Sequence, residues 1–115
     1  MQIEVERRTP WMVFALDGDF NLDAGPGVYL RFQRELLRGQ THFIFDLHGV
    51  EVVDSKGLGI LVRCYKEARR RGGEVGLKRV PDSIERILEF TRLDAIFRRA
   101  DEELPPLDGP DTEAA

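Results

Sequence analysis

The sequence predicts an α/β domain in which two strands are followed by helix, strand, helix, strand and helix. Three observations lead there. Residues 3–16 hold two short apolar segments parted by Thr9-Pro10, the pattern of a hairpin. The stretch FIFDL, residues 43–47, is a nearly continuous apolar run between turn signals, as in a strand buried on both faces. The segment after Ser55 repeats apolar residues at helical spacing and ends at Gly72-Gly73.

Taken in order, residues 3–7 alternate apolar and polar side chains, which suits a half-exposed first strand. Residues 11–16 form the second strand, closed by Asp17-Gly18-Asp19. Pro26 sits where an early-helix proline belongs, since its missing N–H has no helical partner to lose. Val28, Leu30, Phe32, Leu36 and Leu37 follow as the apolar side of that first helix, although Leu30 and Phe32 do not share one narrow stripe, and Gly39 ends it. After the FIFDL strand, Leu58, Leu61, Val62, Tyr65 and Ala68 form the inward stripe of the second helix. EVGLK, residues 74–78, is the next strand, and Pro81 opens a third helix whose Ile84, Ile87, Leu88 and Thr91 share a face. Ile96-Phe97-Arg98 is placed as a short edge strand.

Strand–helix–strand crossovers bring successive strands into parallel register. The expected architecture is therefore a single mixed sheet of four to five strands, an N-terminal hairpin and then parallel crossovers, with three or more helices. No repeat, linker or second core is present, so residues 1–104 are assigned to one domain and residues 105–115 to an acidic tail outside the packed structure.

Charge limits the partners. The net charge of −4 comes from the C-terminus: residues 101–115 hold six acids and no base, and the remaining body has 15 acids against 17 bases. A body so near neutrality gives no electrostatic case for direct nucleic-acid binding. Arg69-Arg70-Arg71 suits the negative end of a helix that stops at Gly72. No apolar run approaches the roughly 20 residues of a membrane span, the N-terminus MQIEVERRTP has no apolar leader core, and one cysteine forms no internal disulfide. A cytoplasmic protein is the expectation.

Most chemical motifs fail on inspection. Gly25-Pro26-Gly27 and Gly57-Leu58-Gly59 each lack the third glycine of a dinucleotide loop, and no phosphate loop, HExxH or CxxC occurs. His42, Asp46 and His48 share strand parity, but they read as strand-end polar residues and not as a metal triad. Cys64 reads as small apolar filler inside a helix. No Ser-His-Asp set is compelling, and neither a metal nor a cofactor is expected.

Asp54-Ser55 remains. Ser55 is expected as the N-cap of the second helix, its oxygen accepting a first-turn N–H. The same place suits a regulatory phosphate, because a helix N-terminus favours an anion and phosphorylation adds about −1.5 to −2 charges beside Asp54. Gly57 and Gly59 are expected to reduce bulk around the hydroxyl so that a partner can approach the backbone.

The stretch from Phe43 to Val80, with GDFN before it and RILEFTRLDAIFRRADEEL after it, resembles the STAS domain of bacterial anti-sigma-factor antagonists over nearly the whole chain. The family's Asp-Ser-Ser-Gly-Leu-Gly motif matches Asp54, Ser55, Gly57, Leu58 and Gly59. The resemblance implies the STAS fold and a regulatory switch, not an enzyme. Unphosphorylated, such a protein binds an anti-sigma factor that is also a serine kinase, and a sigma factor is released; ATP-dependent phosphorylation weakens the complex, and a serine/threonine phosphatase restores it. Carried over, Ser55 is the phosphoacceptor, and Asn21, Asp54, Ser55, Lys56, Gly57 and Gly59 form the partner-binding set. Two positions depart from the pattern: Lys56 replaces the second motif serine, and Asn21 replaces an acid. Two other readings stay open. One is a phosphorylation-independent STAS adaptor on a transporter or sensory complex; the other is a nucleotide-binding module.

Overall fold

The computed structural model of the chain describes residues 1–100. The acidic tail and the expected domain end at Leu104 lie outside the described residues. The first strands, β1 (Gln2–Arg8) and β2 (Trp11–Asp17), form the expected antiparallel hairpin. Then come α1 (Gly25–Leu37), β3 (His42–Gly49), α2 (Ser55–Arg70), β4 (Glu74–Lys78), α3 (Asp82–Phe90) and β5 (Arg98–Arg99). The sheet order is β1-β2-β3-β4-β5, with every pair after the hairpin parallel, so the expected mixed sheet forms, at the upper end of the four to five strands the sequence suggests.

Alternation along the strands splits the sheet into two faces. Phe14, Phe43, Phe45 and Leu77 point to one side and join Val28 and Phe32 of α1, Leu61 and Ala68 of α2, and Ile84 and Leu88 of α3 in one buried cluster. All three helices therefore cover the same face. Phe32 meets Phe43 with ring centroids 4.5 Å apart, and Phe14 meets Phe45 edge-on at 5.4 Å. Each buried ring of this kind contributes about 2 kcal/mol through apolar burial. Trp11, Val13, Ile44 and Ala100 form a smaller cluster, and Val13 and Ile44 belong to the opposite strand parity. Having apolar residues on both parities explains why FIFDL reads as one unbroken run.

The differences from expectation have physical causes. Leu30 and Leu37 are 64% and 78% exposed, so the buried stripe of α1 is Val28, Phe32 and Leu36. The stripe of α2 centres on Leu61, Cys64 and Ala68, with Leu58, Val62 and Tyr65 half-buried on its flanks. Cys64 fits as filler; burial pushes its thiol pKa far up. Phe97 is drawn into the core, so β5 pairs after it and starts at Arg98 rather than Ile96. Thr91 is not on the buried face of α3; it caps the helix end, its hydroxyl donating to the Ile87 carbonyl at 2.7 Å. The stops expected at Gly39 and Gly72 hold, both residues having positive φ (98° and 78°), where a side chain is strained.

Candidate functional site: the turn at the carboxyl edge of the sheet

Parallel strands β2 and β3 release their chains at the same edge, and the loops that follow carry the site. The loops are stitched together as a short extension of the sheet. Phe20 pairs with Val53 in an isolated parallel bridge; Phe20 N–H donates to the Val52 carbonyl at 2.8 Å, and Asp54 N–H donates to the Phe20 carbonyl at 3.3 Å. Asn21 then turns the first loop into α1. Its side-chain oxygen accepts N–H bonds from Asp23 and Ala24 at 3.1 Å each, and its carbonyl accepts from Gly25 at 2.7 Å. Asn supplies this turn as well as an acid would, because only an acceptor oxygen is needed.

Asp54 is the N-cap of α2, and this corrects the expectation that Ser55 would be. One Asp54 carboxylate oxygen accepts from Gly57 N–H at 2.9 Å inside the helix start; the other accepts from Leu22 N–H at 3.0 Å on the neighbouring loop. The physical reason is reach. Asp54 has extended backbone (φ −96°, ψ −177°) and two acceptor oxygens, so it can satisfy both loops, whereas Ser55 already has helical geometry at the first position. The Gly57 N–H bond holds the Asp54 carboxyl below the usual carboxylate range against a smaller opposing desolvation, with the Leu22 and Lys56 N–H groups helping.

Ser55 is thereby released from capping. It is exposed at the first position of α2, and among the described residues no group takes up its hydroxyl. Lys56 is exposed beside it. Gly57 and Gly59 play different parts. A Cβ on Gly57 would stand 2.1 Å from the Phe20 carbonyl oxygen, so this glycine is required by the contact between the loops and α2, not by an approaching partner. Gly59 is exposed, and a Cβ there would meet nothing within 4 Å. Of the two glycines, only Gly59 leaves the surface bare.

The structure brings Asn21, Asp54, Ser55, Lys56 and Gly59 to one edge and turns Gly57 inward. It also adds two residues that sequence reasoning missed. Leu22 and Val52 flank the turn and are 59% and 50% exposed, although their neighbours Phe20, Val50 and Val53 are buried. The available signal was an apolar residue in a polar loop (Leu22) and an apolar run too dense for one face to bury (Val50, Val52 and Val53). The turn thus presents one hydroxyl, one ammonium and two apolar side chains around a bare helix start.

The other sequence candidates fall elsewhere. Asp46 is buried and paired with Arg79, whose guanidinium donates at 2.6 Å and 3.3 Å. Burial opposes the Asp46 charge, but Arg79 and the His48 N–H outweigh it and the carboxyl pKa stays low. His42 packs edge-on to Trp11 at 5.3 Å, and burial lowers its pKa. Among the described residues no three histidines, cysteines or acids gather as a metal site. A cavity of about 160 Å³ lies beside the Asp46 pair, lined by Glu4, Asp17, His48 and Arg79 among others. Its size is below the ~300 Å³ usual for a small-molecule site, and its carboxylates oppose a nucleoside phosphate. No helix of the described residues is long and apolar enough to cross a membrane.

Comparison with known proteins places this arrangement. Among curated relatives, the anti-sigma F factor antagonist of Paenibacillus polymyxa is 27% identical over 108 residues, covering 93% of this chain and 92% of that protein. Among solved structures, a Thermotoga maritima protein provisionally assigned as an anti-sigma factor antagonist superposes with a TM-score of 0.82 at 24% identity, covering 87% of this chain and 86% of that one. The Bacillus cell-fate determinant SpoIIAA in its phosphorylated form gives 0.71 at 18% identity, covering 88% and 93%. These structural likenesses carry the fold. The STAS domain family model matches residues 2–104, and the chain belongs to that family.

Proposed function

We propose that this protein is an anti-sigma-factor antagonist whose unphosphorylated form binds an anti-sigma factor with serine-kinase activity, and that phosphorylation of Ser55 switches the binding off. The observation that carries the reading is the division of labour at α2: Asp54 does the capping, so the exposed Ser55 hydroxyl can be modified without unfastening the helix. The relationship to the Paenibacillus antagonist supports the partner class. Leu22 and Val52 provide exposed apolar contact area at the turn, and the bare backbone at Gly59 lets a partner come close. A phosphate on Ser55 would bring about two negative charges to the turn beside the ionised Asp54, and a partner seated there would have to desolvate them. Lys56 offsets part of that charge, which sets this switch apart from one with serine at the same position. A metal-dependent phosphatase would reverse the modification, and the protein itself acts by binding rather than by catalysis.

The test is affinity for each anti-sigma kinase of the source cell, measured by calorimetry. Ser55→Asp should bind the cognate kinase at least about tenfold more weakly than wild type, and Ser55→Ala should bind like wild type. Equal binding by all three would remove Ser55 from the interface. Tight binding that neither ATP nor Ser55→Asp alters would favour a fixed adaptor, the reading Lys56 motivates.

A further inference from the structure

The outer face of α1 holds a second surface that neither the core nor the Ser55 turn uses. Leu30, Gln33, Arg34 and Leu37, with Arg38 beside them, line an open groove of about 440 Å³. Those first four are positions i, i+3, i+4 and i+7 of one helix, the diamond into which a facing helix inserts one side chain. Leu30 and Leu37 stand at its two ends, about 10 Å apart along the axis, and both are largely exposed.

Charge defines what fits. From residue 25 through Arg38, and from Ser55 through Arg71, the two packed helices and their C-caps carry nine lysines and arginines against two glutamates. Both glutamates are already engaged: Glu35 pairs with Arg38 at 3.4 Å, and Glu67 pairs with Arg63 at 3.5 Å and accepts the Tyr29 hydroxyl. The chain is acidic overall, yet α1 and α2 are basic, and the groove itself is lined by Arg34 and Arg38. A second copy of α1 would bring the same arginines against these, so like charge opposes self-pairing through this face.

We propose that the α1 face is a docking site for an acidic amphipathic helix of a partner protein. An apolar side chain of that helix enters the Leu30–Gln33–Arg34–Leu37 diamond, and its carboxylates lie along Arg34 and Arg38. The surface is separate from the Ser55 turn, so the two contacts can be made independently.

The experiment is a titration of the full-length, isotope-labelled chain, followed by backbone amide shifts, with a synthetic two-heptad peptide. The peptide is an uncapped helix former with leucine at a and d and glutamate at e and g. Expected are shifts confined to residues 26–38 and 63–71 with residues 52–59 unmoved, and affinity about tenfold weaker at high salt. The doubly substituted Leu30→Glu, Leu37→Glu chain and the singly substituted Arg34→Glu chain should each bind about tenfold more weakly. A scrambled peptide of the same composition should not bind. No shifts, equal binding by the scrambled peptide or the variants, or shifts centred on residues 52–59 would overturn the proposal. So would shifts that depend on protein concentration without peptide, which would make a second copy the occupant. Equal binding by a peptide of residues 101–115 would make the chain's own acidic terminus the occupant and likewise overturn it.

Discussion

The Ser55 turn and the outer face of α1 are both exposed, but they are built on opposite plans. The turn is fastened from below: Phe20 bridges Val53, Asp54 clamps two loops, and Gly57 admits the Phe20 carbonyl where a side chain would not fit. The α1 face has no such fastening. Its leucines touch little, and its identity lies in what they leave open. In the turn a residue's type is set by internal geometry almost everywhere except at Ser55, Lys56 and Gly59. On the α1 face nearly every position is free of the fold. Substitutions should therefore separate into large stability effects at the turn's foundations and small ones at both exposed surfaces.

The largest effect should come from Gly57→Ala. With 2.1 Å to a backbone oxygen, the loop or helix must shift, and the expected loss is about 3 kcal/mol in denaturant unfolding. A variant as stable as wild type would dissolve the contrast with Gly59. Next is Arg79→Ala, which leaves the buried Asp46 carboxylate without its guanidinium; about 2 kcal/mol should be lost. Restoring stability with Asp46→Asn in the same chain would show that the unpaired charge is the cause.

Asp54→Ala should lower Tm by about 5 °C at neutral pH, because the α2 cap and the tie to Leu22 disappear together. The pH dependence has a fixed sign. The folded Asp54 pKa is depressed, so its contribution is complete above the unfolded value of about 4 and is lost as pH falls through the lower folded value. The gap between wild type and Asp54→Ala should accordingly stay constant above about pH 5 and narrow as pH falls below the unfolded value and through the lower folded one. A gap that widened on acidification would contradict the capping role. The smallest effects belong to the exposed positions. Gly59→Ala should stabilise by up to about 1 kcal/mol while weakening partner binding, and Leu37→Ser should stay within about 0.5 kcal/mol of wild type.

Much of the fold was legible in advance because its signals are local. The hairpin, the FIFDL strand and the glycine stops each follow from a few adjacent residues, and the parallel pairing after the hairpin follows from the strand–helix–strand crossovers. The gathering of Asn21 and Asp54 at one edge was legible only through family resemblance, since the bond that joins their loops spans 32 positions from Leu22 to Asp54. Assigning the cap to Ser55 failed because both Ser and Asp are good caps, and the choice between them depends on the second loop. The sequence offers five apolar residues for the inner side of α1, but Leu30 and Phe32 do not share one narrow stripe, and tertiary packing buries Val28, Phe32 and Leu36 and leaves Leu30 and Leu37 outside. Hidden in the near-neutral body charge were two basic helices, α1 and α2, beside an acidic α3, because net charge carries no information about where charges sit.

The division of labour in which Asp54 fastens the helix and Ser55 takes the phosphate is tested most directly by intact mass. Wild type and Ser55→Ala are incubated with ATP and the anti-sigma kinases of the source cell, and each is then melted. Expected are one added phosphate on wild type, none on Ser55→Ala, and a modified protein that still unfolds cooperatively. A phosphate that persists in Ser55→Ala, or a modified protein that has lost its cooperative transition, would contradict it.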